Sequence, residues 1–103
     1  MPLTGNESEI ITLQEAIDMT STYDAKTTTA ATKAHLFGKT KLMELLSQED
    51  CIAMRAYYGI DESGQQQLVL VGVTAEGKDL YNGVLLDRSI TCPVMCDTGS
   101  PLY

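Results

Sequence analysis

The 103-residue chain has no tryptophan, one phenylalanine and one histidine, and its 14 acidic residues outnumber 7 basic ones. A formal net charge of −7 opposes binding to nucleic acid, because nothing compensates the repulsion from the phosphate backbone. The longest uninterrupted apolar run, LVLVGV at 68–73, is far shorter than the roughly 18 to 20 residues of a membrane helix. We therefore expect neither a nucleic-acid partner nor a membrane partner.

The N-terminal stretch MPLTGNESEI lacks the basic and apolar regions of a secretory signal, so a cytoplasmic location is expected. Residues 1–9 are polar and contain proline, glycine and asparagine, which predicts a flexible N-terminal arm. Residues 10–103 are predicted to form a single α+β domain. A chain of about 100 residues buries enough apolar surface to fold alone, and no cofactor is expected.

Helical periodicity is confined to the first half of the chain. Thr12 and Glu15 have the spacing of a capping box, and the apolar residues after them predict a helix over 13–24. A second helical stretch is predicted over 30–48, with Gly38 ending a helix in the left-handed conformation. The pattern does not decide between one kinked helix and two helices that meet at Gly38.

From residue 51 the pattern alternates with a period of two residues. The segments CIAMRAYYGI at 51–60, QLVLVGVTA at 67–75 and LYNGVLLDRSI at 80–90 are predicted strands, and the short turns between them predict an antiparallel meander. The expected fold class is α+β, with the N-terminal helices packed on a three-stranded antiparallel meander sheet.

The segment at 67–75 is apolar on both faces, which predicts a central strand covered on two sides. The helices can cover one face. The other face needs a second subunit, which predicts a homodimer, or else the N-terminal arm or the C-terminal tail folds over it.

Two short motifs resemble known signatures but lack their context. FGKT at 37–40 contains the end of a phosphate-binding loop, yet Lys33 stands where that loop needs a glycine. DTGS at 97–100 matches the signature of aspartic proteases, yet only three residues follow it. Neither motif predicts a site.

The pair Cys92 and Cys96, in CPVMC, raises three alternatives. A spacing of four residues places both side chains on one helical face, so a disulfide or redox pair, or a shared metal, is geometrically feasible. Cys51 and His35 are the other potential soft ligands, although nothing in the spacing shows that the four converge. A cytoplasmic setting opposes a stable disulfide, which favours ordinary, partly buried cysteines.

Aromatic and basic side chains in the second half form another candidate group. Arg55, Tyr57, Tyr58 and Tyr81 could line a pocket or an interface. Tyrosines that alternate in a strand are more often half-buried residues of a sheet. The only histidine, His35, has no nucleophile or second histidine nearby in the sequence, which favours a packing or surface role.

Four stretches resemble a group of small uncharacterised bacterial proteins: AHLFGK at 34–39, YYGID at 57–61, LVLVGV at 68–73 and CPxxC at 92–96. The resemblance spans residues 33–97. It implies no activity and assigns no catalytic residue.

Three functional hypotheses follow from the sequence. The first is a small, non-enzymatic binding or assembly module that self-associates through its sheet. The second is a thiol redox or metal-binding protein built on Cys92 and Cys96. The third is a small-molecule enzyme that brings Arg55, Tyr57, Tyr58 and His35 into one pocket.

Overall fold

A computed structural model describes residues 2–27, 32–92 and 95–103. Within these ranges the protein has an α+β fold with two helices and two antiparallel sheets. The elements in chain order are α1 (Leu13–Lys26), β1 (Ala34–Leu36), α2 (Lys39–Leu46), β2 (Ala53–Ile60), β3 (Gln66–Val73), β4 (Leu85–Leu86) and β5 (Ile90–Cys92). Among the described residues, neither helix is long and apolar enough to cross a membrane.

Helix α1 begins at the predicted capping box. The Thr12 hydroxyl accepts a hydrogen bond from the Glu15 N–H at 3.1 Å, and the Glu15 carboxylate accepts one from the Thr12 N–H at 3.2 Å. Two N–H groups that lack partners inside the helix are thereby satisfied. However, α1 buries none of its residues, so its predicted packing on the three-stranded sheet is not confirmed.

The segment predicted to be helical around His35 is instead strand β1, which pairs antiparallel with β5. The sequence prediction was wrong here because β1 forms through pairing with a segment more than 50 residues away. Gly38 has φ −74° and ψ 144°, so it is extended and precedes α2 rather than closing a helix in the left-handed conformation. Residues 30 and 31 of the predicted helix lie outside the described residues.

The larger sheet has the strand order β2-β3-β4, which is the predicted antiparallel meander. Strand β2 pairs with β3 along its full length, from Ala53 opposite Val73 to Ile60 opposite Gln66. The third strand is much shorter than the prediction over 80–90: only Leu85–Leu86 forms a strand with β3, and one isolated bridge, between Asp79 and Val73, precedes it. Arg88, at φ 53°, then redirects the chain into β5, which belongs to the second sheet with β1.

The core lies at the C-terminal end of β3, where the four residues Leu70, Val71, Gly72 and Val73 are all buried. Side chains alternate between faces in a strand, so four consecutive buried residues require cover on both faces. Strand β3 is therefore a central strand, as predicted. Its covering groups come from the chain itself.

Helix α2 and the chain around it cover the face of β3 that carries Gly72. A Cβ atom at Gly72 would lie 2.8 Å from Cys51 Sγ and 2.9 Å from Gln48 Nε2. Gln48 is fixed there because its Nε2 donates to Leu45 O and its Oε1 accepts from Val84 N–H, both at 2.8 Å. One amide thus connects the end of α2 to the chain before β4.

Candidate functional site

The predicted pocket residues separate onto the two faces of β2. Arg55 and Tyr57 lie on one face, opposite Val71 and Val69 of β3, and Tyr58 lies on the other, opposite Leu68. Since neighbouring residues of a strand point to opposite faces, a pocket common to all three with His35 does not form. Tyr81 lies in a turn between β3 and β4 and is 70% exposed.

Arg55 and Tyr57 converge on Asp79. The Arg55 guanidinium and the Tyr57 hydroxyl each donate to a different oxygen of the Asp79 carboxylate, and Arg55 Nη2 also donates to Gly77 O at 3.3 Å. The hydrogen bond with Tyr57 and the charge of Asp79 raise the pKa of Arg55. Asp79 pairs with Val73 on the side of β3 away from β2, whereas Arg55 and Tyr57 belong to β2. The cluster therefore spans β3 and covers the face that carries Val71 and Val73.

A cleft of about 180 Å³ opens on the other face of the sheet, between α1, β1 and the N-terminal end of β3. His35 and Tyr58 both line it, so these two candidate residues do share a site. His35 Nδ1 forms a 2.7 Å hydrogen bond with Ser89 Oγ, and burial lowers the pKa of His35. The remaining lining residues are Thr20, Tyr23, Asp24, Thr32, Lys33, Gln66, Leu68 and Leu102.

Lys33, which the sequence analysis did not single out as a site residue, joins three parts of the chain beside this cleft. Its Nζ lies 3.6 Å from Asp24 Oδ2 of α1, donates to Tyr103 O at 2.8 Å, and lies 4.1 Å from the centre of the Tyr103 ring. Its backbone N–H donates to Cys92 O at 2.6 Å. No sequence signal could have identified this role, because the partners lie far apart in the chain.

Cys92 and Cys96 are joined in a disulfide with a Cα–Cα distance of 4.9 Å. The sequence favoured two ordinary, partly buried cysteines, and that interpretation is corrected. The disulfide was one of the alternatives that the spacing allowed. The reason is local: β5 ends at Cys92, and Met95 N–H donates to Thr91 O at 2.9 Å, which holds the residue before Cys96 close to the end of the strand. Cys92 is 6% exposed, whereas Cys96 is partly accessible to solvent.

Cys51 is a free thiol and lies far from the disulfide. Its Sγ faces Gly72 at one end of β3 and donates to Ala53 O at 3.3 Å. The disulfide belongs to the β1–β5 sheet, which approaches the opposite end of β3 where Gln65 Nε2 donates to Thr91 Oγ1 at 3.0 Å. The predicted soft ligands therefore do not converge, and the described residues contain no group of three or more His, Cys, Asp or Glu that could hold a metal.

Comparison with known proteins identifies no relative of this chain. No family model matches the chain, and no curated protein or solved structure shows significant similarity to it. The resemblance to small bacterial proteins stays a prediction, and function has to be argued from the chain's own contacts.

Proposed function

We propose that the protein is a small, non-enzymatic assembly module of the cytoplasm that forms a homodimer through its sheet. The observation that supports this most directly is strand β2, which has eight residues and, among the described residues, pairs on one side only. An open edge presents N–H and C=O groups that another strand can bind.

The open edge lacks the features that usually prevent pairing between sheets. Natural edge strands are short, carry lysine or proline, or are covered. Strand β2 has no proline, and its one charged residue, Arg55, is engaged by Asp79. The opposite edge, β4, has only two residues. Association through β2 is therefore more favourable than association through β4.

The side chains of β2 also suit a second copy. Met54, Tyr58 and Ile60 share one face and are 42%, 83% and 77% exposed. An antiparallel two-fold pairing centred on Ala56 would place Met54 opposite Tyr58 of the second copy, on the same face. Aromatic–aliphatic pairs of this kind stabilise adjacent strands. Helices that pack on a face of the sheet are compatible with pairing between two β2 strands, because they leave the β2 edge free.

The backbone at Ala56 offers a direct test. Gly72 O accepts from Leu80 N–H at 2.8 Å and so points away from β2. Met54 lies opposite Gly72, so its N–H group also points away from the partner strand, toward the open edge. Because this direction alternates along an antiparallel strand, the N–H group of Ala56, two residues later, points to the open edge as well. Proline at 56 removes this donor without removing a bond between β2 and β3.

We therefore expect Ala56→Pro to be monomeric in sedimentation at micromolar concentration, where the wild type and Ala56→Thr are dimeric. Threonine favours strands and keeps the N–H group, so it is the matched control. A wild-type protein that sediments as a monomer, or an Ala56→Pro dimer as stable as the wild type, would contradict association through β2.

The disulfide supports a second candidate function, thiol redox chemistry at Cys92 and Cys96. Disulfides in a reducing cytoplasm are usually transient and serve catalysis or sensing. Cys92 is buried and Cys96 is only partly buried, so Cys96 is the cysteine of the pair that another thiol can approach more easily. A third function, an enzyme using Arg55, Tyr57, Tyr58 and His35 together, is not proposed because the sheet separates them.

Equilibration in glutathione buffers distinguishes a redox pair from a structural staple. A redox pair should have a reduction potential near the cytosolic poise, between about −220 and −320 mV, whereas structural disulfides are mostly reduced only at more negative potentials. Retention of the disulfide at the reducing end of this range would contradict the redox function. Cys51→Ser is used throughout, so that the pair supplies the only thiols.

A further inference from the structure

The C-terminal tail, residues 97–103, lies against the cleft that holds His35. Leu102 lines the cleft, and Tyr103 contacts Lys33 through both its carbonyl oxygen and its ring. The tail is folded as successive turns, in which Asp97 O accepts from Ser100 N–H at 3.0 Å and Ser100 O accepts from Tyr103 N–H at 3.1 Å. The tail therefore covers part of the cleft as a compact segment.

The tail starts at the disulfide, which fixes its point of origin. Cys92 is held by its pairing with Ala34 and by the bond from Lys33 N–H to its carbonyl oxygen. The disulfide holds the Cα of Cys96 4.9 Å from that fixed point. Without the bond, four peptide units would allow a separation of up to about 14 Å. Lys33 thus contacts both Cys92, which anchors the disulfide, and Tyr103 at the far end of the tail.

From this juxtaposition we propose that the tail is a cover for the cleft, and that reduction of the Cys92–Cys96 disulfide releases it. The contacts of the tail are individually weak, since an exposed cation–π contact and one hydrogen bond barely offset the entropy of ordering several residues. The disulfide closes a loop of about five residues. In the chain-entropy description, its loss shifts the equilibrium between the docked and the released tail by roughly 30-fold toward release.

The reductant is a dithiol. One of its thiolates attacks the Sγ of Cys96, the less buried residue of the pair, which forms a mixed disulfide and releases Cys92 as a thiolate. The second thiol of the reductant then attacks its own sulfur in the mixed disulfide and releases Cys96. Two electrons and two protons pass to the protein, and the reductant leaves as a cyclic disulfide. Reoxidation by a disulfide reverses these steps.

Opening uncovers a cleft with a defined chemical character. Lys33 loses Tyr103 as a partner, and the imidazole of His35 and the ring of Tyr23 become more accessible. The release of the tail does not depend on the proposed dimer, because the contacts that hold the tail come from Lys33 and the disulfide and not from the open edge of β2. Failure of either idea leaves the other standing.

The test measures amide hydrogen exchange of the full chain carrying Cys51→Ser, oxidised and after treatment with dithiothreitol. We expect exchange at Ser100, Leu102 and Tyr103 to accelerate by roughly 30-fold on reduction, with amides of β2 and β3 unchanged. Carbethoxylation of His35, the only histidine, should accelerate in parallel. Equal tail exchange in both redox states would overturn the proposal.

Two variants separate the cover from the disulfide itself. Lys33→Met keeps the apolar stem but removes the ammonium, so the tail should exchange rapidly even in the oxidised protein. Cys92→Ser with Cys96→Ser should resemble the reduced wild type. If reduction also exposes the amides of β2 and β3, the disulfide stabilises the whole fold and the proposed switch is wrong. An oxidised preparation of the Cys51→Ser protein with two titratable thiols would overturn it as well.

Discussion

Asp61 organises the turn between β2 and β3 with a single carboxylate. Its Oδ1 accepts hydrogen bonds from the Ser63 N–H, the Ser63 hydroxyl and the Gln65 N–H, and its Oδ2 accepts one from Gln67 Nε2. These bonds, with that of the Ser63 side chain foremost, lower the pKa of Asp61 to about 2. The ionised form is therefore favoured by folding.

The pH dependence of stability follows from the sign of this shift. The pKa of Asp61 is lower in the folded chain than in the unfolded chain, so its contribution is present above about pH 4 and is lost as the pH falls from about 4 to about 2. In urea titrations, we expect the unfolding free energy of Asp61→Asn to fall much less than that of the wild type between about pH 4 and about pH 2. Glu62→Gln, at the neighbouring exposed residue, should retain the wild-type profile.

Single-residue features were predictable where their partners are close in sequence. Thr12 and Glu15 interact across three residues, so their spacing alone identified the capping box. The contacts of Lys33 with Asp24 and Tyr103 were not predictable, because one partner is 70 residues away. The same holds for the convergence of Arg55 and Tyr57 on Asp79.

At the scale of elements, the capping box should account for a measurable part of the stability of α1. Thr12→Ala removes the hydroxyl acceptor for Glu15 N–H and should destabilise the helix by about 1 kcal/mol. Because α1 buries no residue, we expect the effect as faster amide exchange in its first turn. Thr12→Ser keeps the acceptor and is the control. Equal exchange in both variants would show that the box contributes nothing.

The contact between α2 and β3 depends on the absence of a side chain at Gly72. Gly72→Ala would place a methyl group within 3 Å of Cys51 Sγ and Gln48 Nε2, so we expect a loss of about 1–3 kcal/mol in unfolding free energy. Gly59→Ala is the matched control in the same sheet, since its nearest neighbour would be 3.8 Å away. Urea unfolding measures both, and similar losses for the two variants would contradict tight packing at Gly72.

Elements were predictable in proportion to how far local pattern determines them. The alternation in β2 and the apolar run in β3 identified strands, and the short turns identified their order. The two strands of the second sheet were missed, because β1 and β5 have three residues each and exist only as partners. A segment with alanines and a histidine has no pattern strong enough to reveal this.

The whole molecule is less compact than its length allows. Its radius of gyration is 15.3 Å, compared with about 13 Å for a typical domain of this size. Among the described residues, the buried hydrophobic ones are Leu45, Leu70, Val71, Val73 and Cys92. Four of these five belong to α2 and β3, so stability should be concentrated there.

We therefore predict two levels of protection in native-state hydrogen exchange. Amides of α2 and β3, and those amides of β2 that bond to β3, should exchange only by global unfolding, whereas those of α1 and the β1–β5 sheet should exchange by local opening at lower free energy. Denaturant series distinguish the two, because local opening is insensitive to low urea. Uniform protection across all elements would contradict this division.

At this scale the sequence identified the central strand but not the source of its cover. The two apolar faces of β3 suggested helices over one face and a second subunit or a chain terminus over the other. Helix α2 does cover one face, and the cluster of Arg55, Tyr57 and Asp79 lies over the other. A polar cluster over an apolar strand is invisible to hydrophobic patterning, since each member alone resembles a surface residue.

The position of the Gln48 amide has a consequence for the evolution of this fold. Added Cβ atoms at Gly72 and Gly83 would both meet the Gln48 side chain, so a larger residue at either glycine position requires a change at Gln48. Descendants of this chain that acquire alanine at 72 or 83 should also have replaced glutamine at 48 with a smaller residue. Aligned sequences from divergent organisms would then show the three columns varying as a set.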